Sequence, residues 1–342
     1  MVFRVATFNA GLAVGVLPYT TERLPRVVDA LVALDVDLLF VQEFWLDAHW
    51  QALRDAARTK LPYAFRPAPV SPPRPGVCTK EQLAPLVACA RKHCAGLRDE
   101  ALARCVIEHC AAQGFALPAE CLNCIASSPT GTLDQIVARC MGSTAVAPAS
   151  SAAATSRDGG LIAYGGSFGT GLLSRTPLAG ADVLVYFATV NARGAVYARI
   201  ETSAFGPMAV FGTHFSPGGT EQGPQVDEFL AWVDAKGRDE PAVLLGDLNT
   251  PSGSSLFQKI KRAGFREPDV IDPRGTFGGG LGTGHVSTSG WRIDHVLVRD
   301  TDARVTSQRI LDAPISLNVR VRSTLSDHFG VLAVLEPKKR AT

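Results

Sequence analysis

Over the first 66 positions, apolar and polar residues are ordered as strand, helix, strand, helix, strand. Phe3 to Asn9 is a short apolar run that ends on a polar residue. Between Thr21 and Leu34 the residues Leu24, Val27, Val28, Leu31 and Leu34 recur at helical spacing behind a polar opening, which predicts an amphipathic helix. Val36 to Gln42 is a run of strand length, apolar apart from Asp37 and its polar end, as in a strand buried on both faces. Ala48 to Arg58 predicts a short helix and Tyr63 to Arg66 another strand. The strand pattern resumes after Leu161. Strands are predicted at Gly171 to Ser174, Ala181 to Phe187, Gly194 to Glu201, Met208 to His214, Ala242 to Gly246, Arg292 to Val298 and Gly330 to Leu335. Helices are predicted at Gln225 to Lys236 and Ser255 to Ala263. Many strands with a few interleaved helices predict a two-sheet sandwich with helices packed outside.

The stretch between these two regions differs in character. Pro67 to Pro75 holds five prolines and reads as a stiff extended linker. Residues 78 to 140 are helical in pattern and contain all eight cysteines. Cys78, Cys94 and Cys110 are spaced by sixteen, as are Cys89, Cys105 and Cys121, so each unit reads as one helix and a corner. Ser143 to Ser156, rich in Ala, Ser, Pro and Thr, reads as an exit linker. The expected organisation is one α/β domain, residues 1–66 plus 156–338, interrupted by a cysteine-rich helical insertion at 67–155.

Composition narrows this picture. The chain has 342 residues, 46% hydrophobic and 19% charged, with a formal net charge of +2. That is enough apolar material for a large core and excludes wholesale disorder. No apolar run approaches the roughly 20 residues needed to span a bilayer. Met1 to Phe8 reads as a strand rather than a secretory signal. An even number of cysteines packed into one stretch reads as a disulfide framework, and so as a secreted or periplasmic protein, while the missing signal pulls the other way. Reduced cysteines in the cytoplasm, or a structural zinc site helped by Cys121 and Cys124, form the alternative.

The candidate chemistry lies at strand ends. Thr7-Phe8-Asn9, Val41-Gln42-Glu43, Gly212-Thr213-His214, Gly246-Asp247-Leu248-Asn249 and Ser326-Asp327-His328 each place acidic, amide or imidazole groups at the tip of an apolar strand. Arg292-Ile293-Asp294-His295 carries its Asp at the start of one. Strand tips at one edge of a sheet converge in space. Taken singly each is an ordinary turn or surface pair; six in one chain are hard to explain that way. Glu43, Asn9 and Asp327 offer hard oxygen ligands suited to Mg²⁺, with Mn²⁺ or another divalent ion as the alternative. Asp247 and Asn249, two apart, share one side of an extended strand end, where they can meet a phosphate or a second metal ion. His214 and His328 are imidazoles that titrate near working pH.

In their order, Gly-Asp-Leu-Asn, Trp-Arg-Ile-Asp and Ser-Asp-His resemble the endonuclease/exonuclease/phosphatase superfamily, the fold of pancreatic deoxyribonuclease, class II apurinic endonucleases and neutral sphingomyelinases. The resemblance omits residues 67 to 155. It implies a four-layered α/β sandwich, two packed and mostly antiparallel sheets flanked by helices, and metal-dependent cleavage of a phosphate ester by in-line attack of water. It further implies that Glu43 is the central metal ligand with Asn9 and Asp327 nearby, and that Asp294 fixes the tautomer of His328. His214, Asp247, Asn249, Asp294 and His328 are then catalytic, and Arg193 and Asn249 bind the phosphate. As a bare sequence feature, Asp294 could instead be an ion-pair partner of Arg292, and Arg193 an exposed loop residue.

On substrate, Gly166-Ser167-Phe168-Gly169-Thr170-Gly171-Leu172-Leu173, Arg193-Gly194-Ala195-Val196 and Thr213-His214-Phe215-Ser216 resemble neutral sphingomyelinase segments. Gly169 departs from the asparagine those enzymes tend to carry. A phospholipid at a membrane surface is therefore expected ahead of DNA or RNA. A phosphatase of small esters and an inactive binding module are further alternatives. No run of basic residues occurs before the Lys338-Lys339-Arg340 tail. Leu83, Leu86, Val87, Leu97, Leu102, Val106 and Ile107 give the insertion apolar stripes. These read first as the bundle's own core and alternatively as an interfacial cap.

Overall fold

A computed structural model describes residues 2–71, 74–127, 129–142, 163–237, 240–288 and 290–338. Its elements run β1 (Phe3–Asn9), α1 (Thr20–Ala33), β2 (Leu38–Gln42), α2 (Asp47–Ala57), β3 (Tyr63–Phe65), α3 (Lys80–His93), α4 (Asp99–Phe115), α5 (Ala119–Ser127) and α6 (Leu133–Cys140). They continue with β4 (Gly171–Ser174), β5 (Ala179–Val185), β6 (Gly194–Thr202), β7 (Gly206–His214), α7 (Gln222–Gly237), β8 (Ala242–Asp247), α8 (Ser255–Arg262), β9 (Asp269–Val270), β10 (Asp294–Arg299), β11 (Ala303–Ile310), β12 (Ile315–Ser316), β13 (Arg322–Ser323) and β14 (Gly330–Pro337).

Two large sheets form. One has the order β3-β4-β2-β1-β14-β11-β9 and the other β10-β8-β7-β6-β5. Both are mostly antiparallel, with parallel pairs at β1–β2, β7–β8 and β9–β11. Val5, Leu38, Phe40 and Val331 of the first sheet meet Val196, Val210, Val243 and Val296 of the second across the central core. The outer face of the first sheet buries Phe8, Leu39 and Val41 against Val27, Leu31 and Leu53 of α1 and α2. The outer face of the second buries Phe211 and Leu244 against Phe229 and Phe257 of α7 and α8. The result is the four-layered sandwich. β2 and β8 are buried at every position because each has a layer on both faces.

Phe40 sets the spacing between the sheets. A Cβ on Gly212 would lie 2.5 Å from its ring, and one on Gly246 3.2 Å. The glycines of two site segments are thus the floor on which this ring rests, and burying it contributes roughly 1.5–3 kcal/mol.

Two expectations change. β11 was not foreseen: its inward positions alternate as Ala303, Val305, Ser307 and Arg309, so half of its buried face is polar. Arg309 is satisfied there by donating to the carbonyls of Gly275 (2.8 Å) and Ser287 (3.0 Å), and it lies over the Phe329 ring. The cysteine repeat is also different in kind. All eight cysteines are paired. Cys94–Cys105, Cys89–Cys110 and Cys78–Cys121 nest, with separations of 11, 21 and 43, around the corner between α3 and α4. The units are therefore mirrored across an antiparallel hairpin rather than repeated in tandem. Cys124–Cys140 ties α5 to α6. The proposed exit linker, 143–156, lies outside the described residues. No helix among the described residues is long and apolar enough to cross a membrane.

His49 is buried on α2, and its pKa falls to about 4, chiefly through burial and then through the nearby Arg66 cation. The unfolded chain takes up a proton at this residue near pH 6.5, whereas the folded chain does so only near pH 4. Stability must fall as pH drops through that window. Between pH 7 and pH 5 the wild type should lose about 2 kcal/mol more than His49→Phe. Urea denaturation at the two pH values checks this; equal losses would remove His49 as the source.

Candidate functional site

Strand pairing alone brings most of the sequence-predicted residues together. In the second sheet His214 pairs with Asp247, and Asp247 with Asp294, so three functional side chains sit side by side. In the first sheet Asn9 pairs with Gln42, which places Glu43 one residue beyond. β14 runs antiparallel to β1 with Val331 opposite Thr7, so the Asp327-His328 segment arrives at the same edge.

The two sheets are joined across this edge by side chains. Asn9 donates through Nδ2 to Asp247 Oδ2 (3.0 Å) and to Glu43 Oε1 (3.3 Å). Asp247 Oδ2 also lies 3.3 Å from His214 Nε2 and 3.8 Å from His328 Nε2. His328 Nδ1 meets Asp294 Oδ2 at 2.9 Å. The backbone N–H of Asn249 donates to Asp247 Oδ1 (2.9 Å). Asp327 Oδ1 accepts from Ser326 Oγ (3.1 Å), and its carboxylate opens on the same cavity as Glu43. Arg292 turns away from Asp294, donating to the carbonyl of Asp272 and to Ser307 Oγ, so the simple ion pair does not form.

The electrostatics separate the two histidines. Burial disfavours charge on His328, but Asp294 and Asp247 outweigh it and hold the imidazole well above its usual range. His214 moves the other way: burial and then Arg193 favour the neutral form over the pull of Asp247. Its Nδ1 is buried without a hydrogen-bond partner. Burial raises Asp294 to about 6 against the opposing effect of His328. Burial works against charge on Asp247 too, yet His328 and His214 overcome it and keep the carboxylate ionised. The opposite shifts leave His328 charged and able to donate a proton, and His214 neutral beside the ionised Asp247.

Backbone strain concentrates at the same place. Glu43 has φ 61° and Asn249 φ 47°, left-handed values that non-glycine residues seldom adopt. Both are held: Arg66 donates to the carbonyls of Phe44 and Trp45 (3.1 and 3.2 Å), and Gln222 donates to the carbonyl of Asn249 (2.7 Å). The amide of Asn249 donates to the Phe215 carbonyl.

Arg193 is buried, not an exposed loop residue, and its Nη1 lacks a partner. The guanidinium lies 5.8 Å over the Trp45 ring and feels the charges of Glu43 and Asp247. Trp45 stacks on Tyr164 at 5.4 Å. It also accounts for Gly169. That residue has φ 64°, and a Cβ there would come within 2.7 Å of the Trp45 ring, so an asparagine would collide with it. Beside this tryptophan only glycine fits at that position without a shift of the ring.

Four contributors escaped the sequence reading. Arg23 is fully buried on α1 and donates to the carbonyls of Ala10, Gly11, Pro18 and Leu325, bracing the loops that carry Asn9 and Asp327. Burial lowers its pKa to about 10. An arginine one turn before Val27 on the apolar face was the available signal. Thr276 accepts from the N–H groups of Ile293 and Asp294 (3.0 Å each). Phe277 sets its ring edge-on to His328 at 4.9 Å. Gln222, which holds the Asn249 loop, opens α7 three residues earlier than expected.

A metal could be held in two places. Glu43 and Asp327 open on one cavity beside Arg23 and Arg193, and Asn9 stands next to them with its amide nitrogen toward Glu43 and its Oδ1 toward the Gly11 N–H. Asp247, Asp294 and His328 bring one candidate ligand atom each within 4.8 Å of one another. In the second set, Asp294 Oδ2 and His328 Nδ1 already engage each other, so it reads as a proton-holding triad. The carboxylates of Glu43, Asp247, Asp294 and Asp327 outnumber the cationic groups facing them, and hard oxygens in excess fit a divalent cation.

No curated protein sequence matches this chain significantly. Among solved structures, sphingomyelinase C from Streptomyces griseocarneus is similar at 17% identity and a TM-score of 0.57, covering 98% of this chain and 99% of that one. A beta toxin variant from Staphylococcus aureus with bound magnesium ions is similar at 13% identity and a TM-score of 0.56, covering 97% and 99%. TDP2 from D. rerio, complexed with a single-strand DNA product, is similar at 14% identity and a TM-score of 0.55, covering 98% and 99%. At these identities the likeness establishes the fold. The profile of the Endonuclease/Exonuclease/phosphatase family matches residues 6–328, and the chain belongs to that family.

Proposed function

We propose that this chain is a Mg²⁺-dependent phosphodiesterase whose substrate is a phospholipid of the sphingomyelin type, acting outside the reducing cytoplasm. Members of the family hydrolyse phosphate ester bonds, and one similar structure carries magnesium. The observation that carries the chemistry is the buried Asp247 carboxylate, met at once by Asn9, His214 and the Asp294–His328 pair. The observation that favours lipid is the cavity onto which Glu43 and Asp327 open: its wall contains no lysine or arginine among the described residues and is otherwise mostly apolar. A nucleic-acid groove needs cations along the phosphate backbone. Four disulfides favour an oxidising compartment.

In this reading Glu43, Asn9 and Asp327 would hold the metal ion, which supplies positive charge against the phosphate oxygens when bound. Asp247, ionised and fixed by the Asn249 N–H, orients the attacking water and accepts its proton. His328, kept charged by Asp294, stands ready to stabilise the pentavalent phosphorus or to protonate the leaving oxygen. His214 holds Asp247 from the other side. Arg193, with its unpartnered Nη1, binds a phosphate oxygen, and Asn249 completes the pocket.

Sphingomyelin vesicles and supercoiled plasmid, each incubated with Mg²⁺ and with EDTA, test this directly. The expected outcome is metal-dependent phosphocholine release with intact plasmid; nicked plasmid beside untouched lipid would make the protein a nuclease. His328→Ala should lower kcat by about 10²–10⁴ with the melting temperature retained. Near-normal turnover would reassign the acid. Glu43→Ala should weaken Mg²⁺ binding at least tenfold by calorimetry, and an unchanged isotherm would take Glu43 out of the metal site.

A further inference from the structure

The insertion does not spend all its apolar surface on its own core. From Leu102 and Ala103 to Gly114 and Phe115, α4 carries an apolar stripe two residues wide that recurs every four positions. The whole stripe lines a chamber of about 570 Å³ lying between the insertion and the catalytic face. That volume is within the range of about 300–1,000 Å³ typical of small-molecule sites, and too small for a folded partner. Every side chain the insertion contributes to its wall is apolar, with further contributions from α3, α5 and α6. The opposite wall holds Trp45, Tyr164 and Asn191 and ends on the carboxylates of Glu43 and Asp327. Four lining residues, Val16, Ile107, Phe115 and Val190, are exposed and mark the open side.

The insertion is held in this position. Glu100 accepts from Thr20 Oγ1 (2.5 Å) and from the Thr21 N–H (3.1 Å). Asn123 donates to Ser71 Oγ (2.8 Å) on the insertion's entry segment, whose Val70 N–H in turn donates to the Gly166 carbonyl of the host domain (3.1 Å). The chamber is therefore a built space, continuous at one end with the metal and phosphate groups and apolar through the rest.

We propose that this chamber takes a hydrocarbon chain of the lipid phosphodiester, so that the insertion draws the tail out of the bilayer while the phosphate lies at Glu43 and Asp327. The assignment deepens the phosphodiesterase reading and rests on it for the identity of the substrate. It accounts for the outer edge of the stripe, Ile107 and Phe115, left exposed while Leu102, Val106 and Cys110 pack into the bundle's own core, and for a wall with charge at one end only. Each methylene that enters such a space can raise affinity up to about fourfold.

The test is binding of phosphocholine and of octyl-, dodecyl- and hexadecylphosphocholine by calorimetry. Each is kept below its micelle-forming concentration and measured in EDTA and in Mg²⁺. Affinity should rise at least tenfold from the octyl to the hexadecyl compound. Gly114→Phe should lower affinity for the hexadecyl compound at least tenfold and flatten the dependence on chain length. A Cβ at Gly114 meets no atom within 4 Å, so the new side chain starts from open space, and an unchanged melting temperature checks that the variant is folded. Ala111→Phe, one turn away on the same stripe, should act alike. The same variants should lower the ratio of long-chain to short-chain lipid hydrolysis. Affinity independent of chain length, or unaltered by both folded variants, would overturn the assignment. Because binding in EDTA is read without turnover, the two readings fail separately. Chain binding without sphingomyelin hydrolysis would sink the substrate and spare the chamber; sphingomyelin hydrolysis without chain dependence would do the reverse.

Discussion

The structure turns on burying one ionised carboxylate at the seam between two sheets. Asp247 ends β8, an interior strand of the second sheet, and is 1% exposed. An unpaired carboxylate at such a depth would cost several kcal/mol, so partners must reach it from every side. Asn9 arrives from the first sheet, His214 from the neighbouring strand, His328 from the loop before β14, and an N–H from its own turn. Satisfying this single group therefore aligns the ends of both sheets. Phe40 sets their separation from within the core, and Asn9 closes it at the edge.

The same requirement explains where strain is stored. Glu43 and Asn249 both follow strands that must stop at the seam, and both turn through left-handed backbone to aim their side chains into it. Such conformations cost of order 1–3 kcal/mol each and persist only where neighbours enforce them. Arg66 and Gln222 do so from outside the site, and Arg23 braces the neighbouring loops of Asn9 and Asp327 in the same way, all through backbone carbonyls. Their role is mechanical rather than chemical, which is why a search for reactive side chains passes over them.

Much of the layered architecture was legible because burial on both faces leaves unbroken apolar runs such as Leu38–Gln42 and Ala242–Asp247. The gathering of site residues was legible because each stands at the polar end of one of those runs. What stayed hidden has a common cause: polar groups satisfied by tertiary partners look like surface. Arg309 and Ser307 concealed β11 in this way, and Arg23 read as an ordinary helix residue. The cysteine spacing misled differently, since equal intervals arise from tandem copies and from a folded hairpin alike, and only pairing tells them apart. The stripe on α4 was visible, but whether it faced its own bundle or a neighbour depends on docking contacts such as Glu100 with Thr20, far apart in sequence.

The two stalks of the insertion are laced together at its base: Cys78 donates to the Cys140 carbonyl (2.9 Å), and Gly142 to the Cys78 carbonyl (3.0 Å). Below that neck, β3 and β4 pair as an antiparallel hairpin, Phe65 opposite Leu172. The host fold therefore meets the helical unit as a closed loop whose length hardly affects the cost of closing the hairpin. A lineage could acquire, exchange or shed such a module in one genetic step, altering what reaches the reaction centre while leaving the strands that build that centre unchanged.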